Sequence, residues 1–123
     1  MSVIDYVTIS INRCSMPEGH LCRIDYTYHL NTDTETYRGS TRYHVACELR
    51  GKALFGEKHI GLDRYDAHEV MVRDTMPVHR GFLVECDALD ERVGEDAIFI
   101  KLHLHGENGE RFVAESPVVR DYF

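Results

Sequence analysis

Leu21-Cys22-Arg23-Ile24-Asp25-Tyr26-Thr27-Tyr28-His29-Leu30 decides the fold of this chain. Cys22, Ile24, Tyr26, Tyr28 and Leu30 take every second position, and polar residues stand between them. A period of two sends alternate side chains to opposite faces of an extended strand, so the segment reads as a strand with one face buried and one wet. The same alternation recurs outward in both directions. Val7, Ile9 and Ile11 precede it; Tyr43, Val45, Cys47 and Leu49, then Phe82, Val84, Cys86 and Ala88, then Ile98, Ile100, Leu102 and Leu104 follow it. No apolar pattern of helical period runs beyond about two turns, so the fold class is all-β.

Turn residues divide the chain into about eight strands: Val3–Asn12, Leu21–Leu30, Arg42–Arg50, Ala53–Ile60, His68–Asp74, Val78–Leu89, Ala97–His105 and Arg111–Val118. Ser15-Met16-Pro17-Glu18-Gly19 separates the first two, and Leu62 to Asp66 reads as a connection. Asn108-Gly109 is the strongest hairpin signal and predicts a two-residue turn with positive φ at both positions. Strands with one apolar face each must bury it against another layer. The expectation is a two-sheet antiparallel β-sandwich of about seven to eight strands, with a β-barrel as the alternative. Parity suggests two pairings: Ala88 opposite Ile98, which sets Glu85 against Lys101, and Tyr28 opposite Val45, which sets His29 beside His44.

At 123 residues the chain is of single-domain size, spanning 1–123, with 43% hydrophobic and 28% charged residues. Its formal charge of −7, with scattered cations, argues against nucleic acid or an anionic membrane as partner. No apolar run approaches the roughly 20 residues that span a bilayer. Met1 to Ile11 lacks the basic and apolar regions of a signal peptide, so the default location is cytoplasmic. Cys14, Cys22, Cys47 and Cys86 show no zinc-ligand spacing and read as reduced thiols, mostly in the core.

Cys22 and Cys86, both inward on the second and sixth strands, resemble the inter-sheet cysteine pair of immunoglobulin domains. The resemblance implies an immunoglobulin-like outline. Cys47 stands where that family has a core Trp, and Val84 stands where its tyrosine precedes the second cysteine.

Among eight histidines, His103 and His105 form the tightest pair; on a strand they share a face and are the candidate metal ligands. Asp87, Asp90, Glu91, Glu95 and Asp96 read as a solvated acidic turn without calcium-loop spacing. No nucleophile elbow, phosphate loop or zinc-protease motif is present, so catalysis is not expected and no cofactor is implied. Tyr6, Phe99 and Phe112 read as outward-facing aromatics and Tyr37 as part of a hairpin tip, and these four are the interface candidates. Strand four with Gly56 and strand eight with Pro117 read as sheet edges. The expected function is a non-catalytic binding module that presents loops and a sheet edge or face to a protein partner or a second copy. Metal or small-ligand binding through surface histidines, with Glu110 across the hairpin, is the alternative, and a small enzyme with a cleft between the sheets is the third.

Overall fold

The computed structural model describes residues 4–31, 39–53, 56–59, 66–72, 76–89, 96–121 and 123. Among these residues nine strands and one helical turn follow in chain order: β1 (Ile4–Arg13), β2 (Leu21–Leu30), β3 (Arg42–Ala53), β4 (Gly56–His59), β5 (Asp66–Met71), β6 (Val78–Glu85), α1 (Cys86–Leu89), β7 (Asp96–Gly106), β8 (Arg111–Glu115) and β9 (Val119–Asp121). They form two antiparallel sheets, and the arrangement is a β-sandwich rather than a closed barrel. The smaller sheet runs β1-β2-β6. The larger runs β4-β3-β7-β8, with β5 also on β3 and β9 also on β7. Long β3 holds two partners in succession, β5 from Arg42 to Cys47 and β4 from Arg50 to Ala53.

The alternating residues meet between the layers. Ile24, Tyr26 and Tyr28 from β2 pack with Tyr43, Val45, Cys47 and Leu49 from β3 and with Ile98, Ile100, Leu102 and Leu104 from β7. Burying each large apolar side chain of this set contributes about 1.5–3 kcal/mol. The chain's C-terminus docks on its own domain: Phe123 packs against the core, and Arg13 Nη2 donates to its carbonyl at 2.9 Å. No helix among the described residues is long and apolar enough to cross a membrane.

Several expectations change. The strands around Phe82 and Ile100 do not pair; β6 pairs with β2 and β7 with β3, so Lys101 faces Glu48 and Glu115 instead of Glu85. Nor do β2 and β3 pair, and His29 lies beside Tyr6 rather than His44. These strands, adjacent in sequence, are not sheet neighbours, because the β2–β3 and β6–β7 connections both cross from one layer to the other. The sixth strand stops at Glu85, and the chain turns helical at Cys86. Strand five begins at Asp66, inside the expected connection, and the eighth strand divides into β8 and β9. Among the described residues β4 and β8 each lie against one neighbour, β3 and β7 respectively, although Pro117 falls after β8 and not within it.

Cys22 and Cys86 form a disulfide, with Cα atoms 5.2 Å apart, so these two are not the reduced thiols expected. Cys22 pairs with Val84 of β6, so the bridge ties neighbours within the smaller sheet instead of pinning the two sheets together. Cys14 and Cys47 are free thiols.

The hairpin at Asn108-Gly109 forms, but with three loop residues rather than two. Gly109 N–H donates to Gly106 at 3.0 Å, and Gly106 N–H donates to Glu110 at 2.8 Å. Gly109 alone adopts positive φ, 96°. This is a turn closed by a glycine bulge, one residue longer than a two-residue loop.

Candidate functional site

That extra residue moves a candidate. A one-residue change of register carries every side chain to the other face. Phe112 therefore sits opposite Leu104, on the inner face, where its ring tilts on Tyr43 at 6.0 Å instead of facing outward. Val113 takes the place beside His103 and is 52% exposed. Phe99 does lie on the side of β7 away from Ile98 and Ile100, but it is fully buried and offers no exposed aromatic. The outer face is closed at that end, since Glu48 and Arg50 side chains keep only 10% and 16% exposure. Alternation tells which way Phe99 points and not whether that side is covered. Tyr6 is exposed on the smaller sheet and stacks on His29 at 5.8 Å. Tyr37 lies outside the described residues. The four aromatics thus form no common patch among the described residues.

The opposite half of the larger sheet's outer face is open. Cross-strand register sets Glu69 of β5, His44 of β3, His105 of β7 and Arg111 of β8 in one row. Arg42, His44, Glu69, His105, Gly106 and Glu107 line a shallow groove of about 260 Å³ there. Its floor and end are braced by the β7–β8 turn. Thr41 donates to Glu107 from its N–H at 3.0 Å and its hydroxyl at 2.6 Å. Glu110 accepts from the Ser40 N–H at 2.7 Å, the Ser40 hydroxyl and the Tyr43 hydroxyl. These bonds hold both carboxyls below the usual carboxylate range, the Thr41 hydroxyl contributing most for Glu107 and the Ser40 N–H for Glu110.

His103 and His105 share the outer face of β7, but their surroundings differ. His103 Nε2 lies 3.5 Å from Glu48 Oε2, while His105 stands opposite His44. Among the described residues no group of three or more His, Cys, Asp or Glu side chains is gathered for a metal ion. Glu110, proposed across the hairpin, is engaged by Ser40 and Tyr43 instead.

A second cluster, which the sequence did not disclose, lies where the sheets meet at β5 and β6. Tyr26 donates its hydroxyl to Asp66 Oδ2 at 2.5 Å. Arg80 grips the same carboxylate with Nε at 3.0 Å and Nη2 at 2.9 Å. The Tyr28 hydroxyl meets His68 Nε2 at 2.5 Å. His68 Nδ1 is buried without a hydrogen-bond partner among the described residues, 3.8 Å from Asp66 Oδ2. Each acidity follows from these contacts. The Arg80 hydrogen bonds hold Asp66 well below the ordinary carboxylate range. Burial pushes His68 down and pushes Tyr26, Tyr28 and the Cys47 thiol up. The one available signal was Tyr26 and Tyr28 in the inward set, because buried tyrosine hydroxyls need partners.

The order Tyr28, His68, Asp66 has the form of a nucleophile, a base and an orienting acid. Tyr28 is fully buried, however, so in this state its hydroxyl reaches no substrate. The cluster joins the layers, and the groove is what faces outward. The chain matches no protein-family model and no curated protein.

Proposed function

We propose that the protein is a non-catalytic recognition module that docks a protein partner on the open half of the larger sheet's outer face. The groove carries this reading: a guanidinium, two imidazoles and two carboxylates line it, from β3, β5, β7 and the β7–β8 turn. Exposed Met71 and Val113 flank the same row and add apolar contact area. Mixed polar and apolar surface of this kind suits a partner protein. The strand order supports an immunoglobulin-like type. β1-β2-β6 corresponds to A-B-E of that sandwich, and β3-β7-β8 to C-F-G. The disulfide favours an oxidising compartment over the cytoplasm, where thiol pools reduce such bonds.

The test is site-specific photocrosslinking in cells that express the full chain. A photoreactive side chain in place of His44 is expected to give discrete adducts that Arg42→Glu removes. The same group in place of Thr8, on the smaller sheet's outer face, serves as control. Equal labelling from both positions, or adducts from the Thr8 position alone, rejects the reading.

The alternative, divalent-metal binding, moves from His103 and His105 to His44 and His105, because these two face each other across β3 and β7. In a ¹⁵N-resolved Zn²⁺ titration, shifts that His44→Ala or His105→Ala abolishes and His103→Ala leaves intact support it. No shift below about millimolar metal removes it.

A further inference from the structure

We propose that the β5–β6 seam is an acid-operated latch, in which neutral His68 clamps β5 to β2 through Tyr28 and its protonation releases the clamp. The proposal stands apart from the docking face and holds whether or not that face has a partner.

The geometry places the latch between two edge strands of the sandwich. β5 is bonded on one side only among the described residues, to β3, and β6 on one side only, to β2. These two edges meet across the layers, and the side chains that join them are Asp66 and His68 from β5, Tyr26 and Tyr28 from β2, and Arg80 from β6. A neutral imidazole has one acceptor nitrogen; in the tautomer that turns its N–H toward Asp66 Oδ2, 3.8 Å from Nδ1, that acceptor is Nε2 and Tyr28 donates to it. The proton of the neutral ring then sits on Nδ1, the atom with no partner.

Charging the ring reverses that arrangement. Nε2 becomes a donor pointed at a hydroxyl that was donating to it, so the Tyr28 proton must turn away into the core. The added charge is buried, since the His68 side chain is 9% exposed. Every group that faces it can be weighed. Tyr28 and Tyr26 from β2 are neutral phenols whose burial opposes ionisation. Cys47 from β3 is a buried neutral thiol, and His44 from β3 adds positive charge when protonated. Arg80 from β6 is a fixed cation and repels. Among the described residues Asp66 is the anion that favours the charged ring, 3.8 Å from Nδ1, but its oxygens already accept from Arg80 and Tyr26. The balance disfavours the charged ring within the closed seam and favours it once water reaches β5.

The experiment is native-state hydrogen exchange on the ¹⁵N-labelled full chain, with intrinsic exchange corrected for pH. Between about pH 7.5 and 5.5, β5 amides are expected to lose about tenfold or more in protection relative to β7 amides. His68→Gln keeps an acceptor for Tyr28 and cannot charge, so its β5 protection should stay flat across the same range. His20→Gln, altering an exposed ring on the turn before β2, should behave as wild type. Unchanged wild-type β5 protection, or an undiminished loss in His68→Gln, overturns the latch. If His68→Gln fails to fold, the wild-type ring titration decides. A midpoint below that of an unperturbed histidine, coincident with the loss of β5 protection, supports the latch. A midpoint at the ordinary value, or one separated from that loss, overturns it.

Discussion

Tyr28 shows what a single atom contributes here. Its ring fills the core, and its hydroxyl is the partner of a buried imidazole nitrogen. Tyr28→Phe keeps the ring and leaves His68 Nε2 unsatisfied. The expected cost is about 1–3 kcal/mol, read as a lower urea midpoint with unchanged slope. Tyr6→Phe, at an exposed site, is expected to shift stability by less than about 0.5 kcal/mol. The Cys22–Cys86 bridge closes a 64-residue separation, so its loss matters through the unfolded chain. Cys22→Ser with Cys86→Ser is expected to cost about 4 kcal/mol on the loop-entropy argument, measured against the oxidised protein in the same urea series. Alternation announced that Cys22 and Cys86 face inward, but not that they meet, because meeting depends on β6 lying beside β2.

At the scale of elements, the β7–β8 hairpin is the unit most sensitive to one residue. Its loop has three residues closed by Gly109 at positive φ, and this sets Phe112 inward and Val113 outward. Gly109→Ala imposes a side chain on a backbone conformation that disfavours one, although the space around it is open. The expected loss is about 1–2 kcal/mol in thermal or urea unfolding, with the hairpin register unchanged in NOE patterns. A deletion of Asn108 shortens the loop to Glu107 and Gly109 between the same flanking pair, Gly106 and Glu110. The register is therefore expected to be kept, with cross-strand NOEs still joining Phe112 to Leu104 and not to His105. Asn108-Gly109 was legible in the sequence as a turn. The number of loop residues was not, because Glu107 and Glu110 are committed by Thr41, Ser40 and Tyr43, residues that tertiary structure brings to the turn.

For the whole molecule, pH is the lever that tests several contacts together. His68 is held below its ordinary value of 6.5, so below that pH the unfolded chain binds a proton that the folded chain resists. Its contribution to stability is complete above about pH 6.5 and is lost as pH falls through the folded-state value. Asp66, Glu107 and Glu110 are held below their ordinary 3.8 and 4.5. Their contributions are complete above about pH 4.5 and fade only at lower pH. Urea midpoints are therefore expected to fall in two stages on acidification. His68→Gln should remove the upper stage and leave the lower. A single acid transition in wild type, near the carboxylate range alone, would contradict this assignment.

The sequence by itself determined the strands and their buried faces. Period-two alternation is a local property, and Ile24, Val45, Ile100 and Leu104 needed only a second layer to cover them. It also determined that His103 and His105 share a face, since residues two apart on a strand always do. Tertiary structure alone decided the partners. Which strand lies beside which depends on connections that cross between layers, so His44 meets His105, Cys22 meets Cys86, and Asp66 and His68 meet the tyrosines of β2. The physical reason is range: alternation is written within a few residues, whereas these contacts join positions about 40 to 60 residues apart that no local pattern links.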